Sequence, residues 1–130
     1  MKKLLIKSNK SIKKALDQIS KTGHKSLVVV TKNNKLLGTI SDGDIRRSIL
    51  KNIDISTNIT NIFNRNCINL VENDFTTKKV RSIFMDHKVD LIPIINKQKI
   101  LVDILTLDKV FIDQEKISKI KIPPDVVIMA

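Results

Sequence analysis

The chain has no tryptophan and no tyrosine, and four phenylalanines bring its aromatic content to only 3% of 130 residues. Few side chains are therefore available to stack on nucleobases, which argues against a reader of single-stranded nucleic acid. A single cysteine, Cys67, excludes an internal disulfide, and its neighbours Asn66 and Ile68 supply neither a second thiol nor a histidine. The two histidines, His24 and His87, each precede a lysine ahead of a strand and have no third ligand at short spacing, so no metal site is expected. No apolar run approaches the roughly 20 residues of a membrane-spanning helix. The longest, at 26–31 and 91–95, have the length of strands, and the Met1-Lys2-Lys3 start lacks the apolar stretch of a signal peptide. A cytoplasmic protein with no membrane partner is expected.

What the chain does have is 42% hydrophobic residues, enough to bury a core in one compact unit of this length. Its 24 basic residues against 13 acidic ones give a formal charge of +11. The lysines are spread along the chain, for example at Lys2, Lys13, Lys14, Lys35, Lys51, Lys97 and Lys119, and are not gathered in a block. Abundant Lys, Ile and Asn also suit a gene of AT-rich codons. The expectation is a solvated basic surface with no nucleic-acid partner, one that nevertheless attracts a small anionic ligand.

Periodicity divides the chain into two similar halves. Ile12, Ala15, Leu16 and Ile19 recur at helical spacing between a candidate N-cap, Ser11, and a candidate stop, Gly23. The β-branched run Leu27 to Val30, the polar turn at 31–35 and the run Leu36 to Ile40 read as a hairpin, and Ser41 opens a second helix that fades near Lys51. The same order returns. A strand from Ile68 to Val71 is followed by a helix carrying Val80, Ile83 and Phe84, a strand from Leu91 to Ile95, a turn at 96–99, a strand from Ile100 to Leu105, and helical positions Val110 and Phe111. Val28 aligns with Pro93, Gly38 with Asp103 and Ser41 with Thr106, each pair separated by 65 positions (93−28, 103−38, 106−41). A constant offset predicts a duplicated strand-helix-strand-strand-helix unit. Neither copy covers its sheet on both faces alone, so the two are expected to pack as one pseudo-symmetric α/β (α+β) body.

The chemistry-bearing segment is Gly38-Thr39-Ile40-Ser41-Asp42-Gly43-Asp44-Ile45-Arg46-Arg47, a strand that runs into a helix N-terminus. Free backbone N–H groups and the positive end of the helix dipole suit a phosphate there. The Asp44 carboxylate can accept both hydrogens of a ribose diol, Arg46 adds positive charge, and Gly38 and Gly43 let the backbone come close. Ser41-x-x-Asp44 is equally a capping box, in which the same side chains only satisfy the helix's own amides.

With the preceding hairpin and the duplication, this segment resembles the signature of the cystathionine-β-synthase (CBS) domain: a small residue, two apolar residues, Ser or Thr, and Asp three positions later. The resemblance covers nearly the whole chain. It is nearest to CBS pairs that precede bacterial sugar-phosphate nucleotidyltransferase domains, whose first repeat similarly carries Ser or Thr followed by Asp-Gly-Asp-Ile-Arg-Arg. It implies two CBS repeats, each a small three-stranded sheet with two helices, at 1–52 and 67–113. A linker at 53–66 forms a short helical turn on Ile59, Ile62 and Phe63. Residues 114–130 are then a connector, broken at Pro123-Pro124, and the opening strand (Asp125 to Ala130) of a truncated nucleotidyltransferase domain.

The function implied is regulatory: an adenosine nucleotide, AMP, ADP or ATP, sensed in order to control or assemble an attached nucleotidyltransferase, with no catalytic residue and no metal in this chain. By the same resemblance the nucleotide is held by Ser41, Asp42, Gly43, Asp44 and Arg46, with adenine packed between apolar strand residues around Val28 and Val29 and flanking contacts from Ser8 and Lys25. A second, weaker site is placed at Leu91, Pro93, Thr106, Asp108 and Lys109. There Asp103 replaces the glycine and Lys109 stands where the ribose-binding aspartate belongs. Asp108 comes one position early, which turns it about 100° around a helix. A homodimer is expected, as is common for CBS pairs. The other outcomes considered are a ligand-free dimerisation module and, last, nucleic-acid binding through the basic surface.

Overall fold

The computed structural model describes residues 2–110. After a 3-10 turn at Lys2–Leu4 come β1 (Leu5–Lys7), α1 (Ile12–Thr22), β2 (Ser26–Val30), β3 (Leu36–Ser41) and α2 (Asp42–Leu50). A second 3-10 turn at Ile59–Asn61 leads to β4 (Leu70–Val71), α3 (Thr77–His87), β5 (Leu91–Ile95) and β6 (Leu101–Thr106), and residues 107–110 begin another helix. Two three-stranded sheets result, ordered β1-β2-β3 and β4-β5-β6. In each the outer pair is parallel and the hairpin antiparallel. Of the expected second helix of the second repeat only 107–110 are described; Phe111, the connector and the strand expected at 125–130 lie outside the described residues.

The duplication extends beyond the hairpins. Helix α3 spans the positions of α1 displaced by 65 (77−12, 87−22), and β5 and β6 stand at the same displacement from β2 and β3 (91−26, 101−36). Side-chain hydroxyls cap both first helices, Ser11 accepting from the Lys14 N–H and Thr76 from the Lys79 N–H, both at 3.1 Å. Both helices end on a left-handed residue, Gly23 at φ 75° in one and Lys88 at φ 52° in the other. Across the repeats the Leu36 N–H donates to the Lys99 carbonyl (2.9 Å) and the Leu101 N–H to the Asn34 carbonyl (2.8 Å). These bonds map onto each other under the same displacement, so a pseudo-two-fold axis passes between the hairpins.

Side-chain alternation along the strands sets the layers. Leu27 and Val29 face α1 and α2 and pack with Ile12, Ala15, Ile40 and Ile45, whereas Val28 and Val30 point the other way and meet Leu91, Leu101 and Ile104 of the second sheet. The second repeat has its own core of Val80, Ile83, Phe84 and Ile92. Every described buried side-chain nitrogen or oxygen has a hydrogen-bond partner.

The linker is stitched to the first repeat. Its Thr57 and Ile55 carbonyls accept from the first two amides of α1, those of Ile12 and Lys13, each at 2.9 Å, and Ile59 and Phe63 enter the first core. Farther on, Thr39 and Asn64 exchange backbone hydrogen bonds of 3.0 and 2.8 Å. That crossing explains Gly38: a Cβ there would overlap the Asn64 carbonyl and come to 2.9 Å from the Phe63 ring. The glycine thus admits the chain's own linker, not a ligand as its place in the motif suggests. Its counterpart Asp103 is half-exposed on β6, and no comparable crossing occupies that position among the described residues.

Gly38→Ala is expected to lower unfolding stability by about 2 kcal/mol, the scale of overpacking a filled site. Urea denaturation would measure it, and an unchanged midpoint would contradict the tight crossing.

Candidate functional site

Where β3 becomes α2, the expected capping box forms. The Ser41 side chain accepts from the Asp44 N–H at 3.1 Å, and the Asp44 carboxylate accepts from the Ser41 N–H at 2.9 Å. The Asp42 N–H donates to the Lys25 carbonyl at 2.8 Å. Of the first three amides of α2 only that of Gly43 lacks a partner among the described residues. The helix start therefore offers one free donor, not several, because the chain satisfies the others itself. A Cβ on Gly43 would make only ordinary contacts, the shortest 3.4 Å to Arg47, so its backbone does not require glycine. Both carboxylates pair on the helix surface, Asp42 with Arg46 at 2.6 Å and Asp44 with Arg47 at 2.5 Å.

A cleft of about 660 Å³ opens beside this helix start, large enough for a nucleotide. Ser41, Asp42, Gly43, Asp44, Arg46 and Lys25 line it. Its opposite wall comes from elsewhere in the chain: Asn64, Asn66, Cys67 and Ile68 at the end of the linker, and Lys88, Val89, Asp90 and Leu91 from the second repeat. Leu91, expected at the second site, thus belongs to the first cleft. The two walls are tied together by the Lys25 N–H, which donates to the Asp90 carboxylate at 3.0 Å. Asp90 also lies 3.8 Å from His24 Nδ1. Residues 25 and 90 are again 65 apart, so this contact lies close to the pseudo-two-fold axis.

Three expected contacts lie elsewhere. Val28 and Val29 are both fully buried and line no part of the cleft. As neighbours on one strand they face opposite sides of the sheet, Val28 toward the other sheet and Val29 toward the helices, so one adenine cannot rest on both. Ser8 follows β1, where its carbonyl accepts from the Thr60 hydroxyl at 3.0 Å, outside the cleft.

The pseudo-symmetric counterpart is a cleft of about 540 Å³ lined by Thr22, Gly23, His24, Asp90, Leu107 and Asp108. Thr106, which is buried, bonds through its side chain to Asp108, and this holds the Asp108 carboxyl below the ordinary aspartate range. Pro93 is fully buried. The two departures from the motif meet each other, since Lys109 Nζ lies 3.4 Å from the Asp103 carboxylate. Lys109 therefore neither lines this cleft nor stands unpaired. Asp108 does line it, so the early aspartate reaches the cavity wall, in a cleft whose described lining has no lysine or arginine, whereas the first has four.

The second-repeat wall of the first cleft was missed by motif reading because it lies far from Ser41 in sequence. The 65-residue offset held a usable signal: a contact proposed for Lys25 implicates Asp90 across a two-fold axis. Among the described residues no group of three or more His, Cys, Asp or Glu could hold a metal ion, and no helix is long and apolar enough to cross a membrane.

Comparison with known proteins agrees with this architecture. Residues 1–51 match the family model of the CBS domain. The structure is similar to that of CBSX2 in complex with AMP, with a TM-score of 0.75 at 16% identity and 88% of each chain covered. It is also similar to the CBS domain pair of protein MJ0100 in complex with 5′-methylthioadenosine and S-adenosyl-L-methionine, with a TM-score of 0.70 at 25% identity and 89% of each chain covered. The fold is that of a CBS domain pair, two tandem repeats packed together. By sequence the chain is 26% identical over 103 residues to an uncharacterized protein of Helicobacter pylori strain J99, an alignment that covers 79% of this chain but only 31% of that protein. The chain thus spans about a third of that relative's length.

Cys67 stands on the linker wall of the cleft, and burial pushes its thiol above the ordinary cysteine range. Because alkylation proceeds through the thiolate, the rate of iodoacetamide labelling in the folded chain should reach its midpoint at higher pH than in the urea-unfolded chain. Coincident pH profiles would place the thiol in open solvent.

Proposed function

We propose that the chain is a regulatory module that binds an adenosine nucleotide in the first cleft. The observation that carries this reading is a single cavity of nucleotide size bounded by the Ser41–Asp44 helix start on one repeat and by residues 88–91 on the other. In this reading Asp44 accepts the ribose hydroxyls, and the phosphate lies against Ser41, the free Gly43 amide and Arg46. The base enters between the walls beside Ile68, Val89 and Leu91, which replace the valine pair expected from the motif. The complexes of CBSX2 with AMP and of the MJ0100 pair with methylthioadenosine and S-adenosylmethionine support this class of ligand.

Regulation follows from the walls belonging to different repeats. A ligand that bridges them favours one relative placement of the repeats, and it shifts an attached domain by no more than its difference in affinity between placements. That attached domain, a sugar-phosphate nucleotidyltransferase in a cytoplasmic homodimer, remains part of the proposal. Two things support it: the resemblance of residues 38–47 and 125–130 to that subgroup, and a relative far longer than this chain. This chain itself catalyses nothing in that scheme.

A second reading, a ligand-free dimerisation module, is favoured by one specific observation: in both repeats the motif's charged side chains are already paired internally. Isothermal titration of the chain with AMP, ADP, ATP and S-adenosylmethionine separates the two. Saturable binding is expected. It should be lost in Asp44→Asn, which keeps an oxygen to cap the Ser41 N–H but removes the charge. No heat with any of the four from a chain that light scattering shows to be a dimer would establish the assembly-only reading.

A further inference from the structure

Four cationic residues line the first cleft: Lys25, Arg46, Arg47 and Lys88. The arginines are engaged by Asp42 and Asp44, whereas neither lysine has an ion-pair partner among the described residues. The remaining carboxylate on the wall, that of Asp90, is held by the Lys25 backbone N–H and His24. The two lysines, one on each wall, thus have no such partner, and with Asp42, Asp44 and Asp90 counted the four cations face three carboxylates, an excess of one positive charge (4−3).

Lys88 holds an unusual position. It ends α3 in the left-handed region at φ 52°, where a side chain is disfavoured, and the equivalent position ending α1 is Gly23 at φ 75°, which adopts that conformation without cost. Gly23 lines the second cleft and Lys88 the first. At equivalent places in the two copies, the chain therefore puts a cation against one cleft, at the expense of backbone strain, and no side chain against the other. The second cleft has Asp108 on its wall and shares Asp90 with the first.

We infer that Lys88, with Lys25, is a specificity-determining residue that receives the outer phosphates of a nucleoside polyphosphate, so that the first cleft prefers ATP and ADP to AMP and to S-adenosylmethionine. The inference rests on the nucleotide reading of the cleft given above. A single phosphate is met by Ser41, the Gly43 amide and Arg46 and leaves both lysines without an ion-pair partner among the described residues. The β- and γ-phosphates extend negative charge to Lys25 and, across the cleft, to Lys88. S-adenosylmethionine, with its sulfonium and ammonium groups, brings positive charge into a cleft already in cationic excess.

The test is calorimetric titration in EDTA of the wild-type chain, Lys88→Gly and Asp44→Asn with ATP, ADP, AMP and S-adenosylmethionine. ATP should bind the wild type about tenfold more tightly than AMP, and its affinity should fall more steeply with added salt. Lys88→Gly should weaken ATP about fivefold while changing AMP less than about twofold, and should raise Tm by about 4 °C as the left-handed strain is relieved. A residue that serves only the helix end would move Tm without moving the ATP-to-AMP ratio. Equal affinities for ATP and AMP, or parallel losses in Lys88→Gly, would overturn the inference; if Asp44→Asn still abolishes that binding, the nucleotide reading survives. No binding of any nucleotide to the wild type would overturn both.

Discussion

Each three-stranded sheet is apolar on both faces, and its own helices cover only one. Val28 and Val30, fully shielded from solvent, owe that burial to Leu91, Leu101 and Ile104 of the other repeat. At about 25 cal/mol for each Å² of apolar surface removed from water, several aliphatic side chains held between sheets make a separated repeat strongly unfavourable. Face-to-face packing about the pseudo-two-fold axis follows, and with it the paired hairpin tips and the clefts between the repeats. The clefts are a by-product of that packing: two sheets joined through their inner faces leave the ends of their strands apart, and there β3 turns into α2 opposite the loop between α3 and β5.

The duplicated backbone is nearly the same in both halves, yet the clefts differ in chemistry. Gly38 is needed because the linker crosses β3 at Asn64, whereas the position 65 farther on, Met129, lies outside the described residues. Asp103 pairs with Lys109, and the second motif closes on itself. The first motif also has internal partners, but it keeps a free amide at Gly43 and shares its cleft with two lysines that have no ion-pair partner among the described residues. With the backbone repeated, the described linings still differ in charge: four cations and three carboxylates on the first cleft, and His24, Asp90 and Asp108 on the second.

Much of this was legible in the sequence. Periods of 3.6 and 2, the caps Ser11 and Ser41 and the stop at Gly23 located the elements, and the 65-residue offset from Gly38 to Asp103 predicted that the fold would repeat. Ser41-x-x-Asp44 located the helix start that borders the cleft. The adenine contacts were not legible, because the motif says nothing of which strand face turns toward which neighbour; Val28 and Val29 read as an apolar platform and prove to belong to two separate cores. The role of Gly38 was obscured for a similar reason, since its close neighbour, Asn64, lies 26 positions away (64−38) and approaches through the backbone.

By itself, then, the sequence determined local conformation and its duplication, because hydrophobic period and capping chemistry act over a few residues and repeat wherever the pattern does. It determined as well that no disulfide within the chain staples the fold, since there is only one cysteine. Only the tertiary structure decided what faces the Ser41–Asp44 helix start. The cleft's second wall is Lys88 to Leu91, brought there by packing between sheets, and the charges that meet across it, Lys25 on one side and Lys88 and Asp90 on the other, come from residues that no local pattern relates. Charge in a site depends on distance in space, and that distance was set by the burial of two apolar sheet faces against each other.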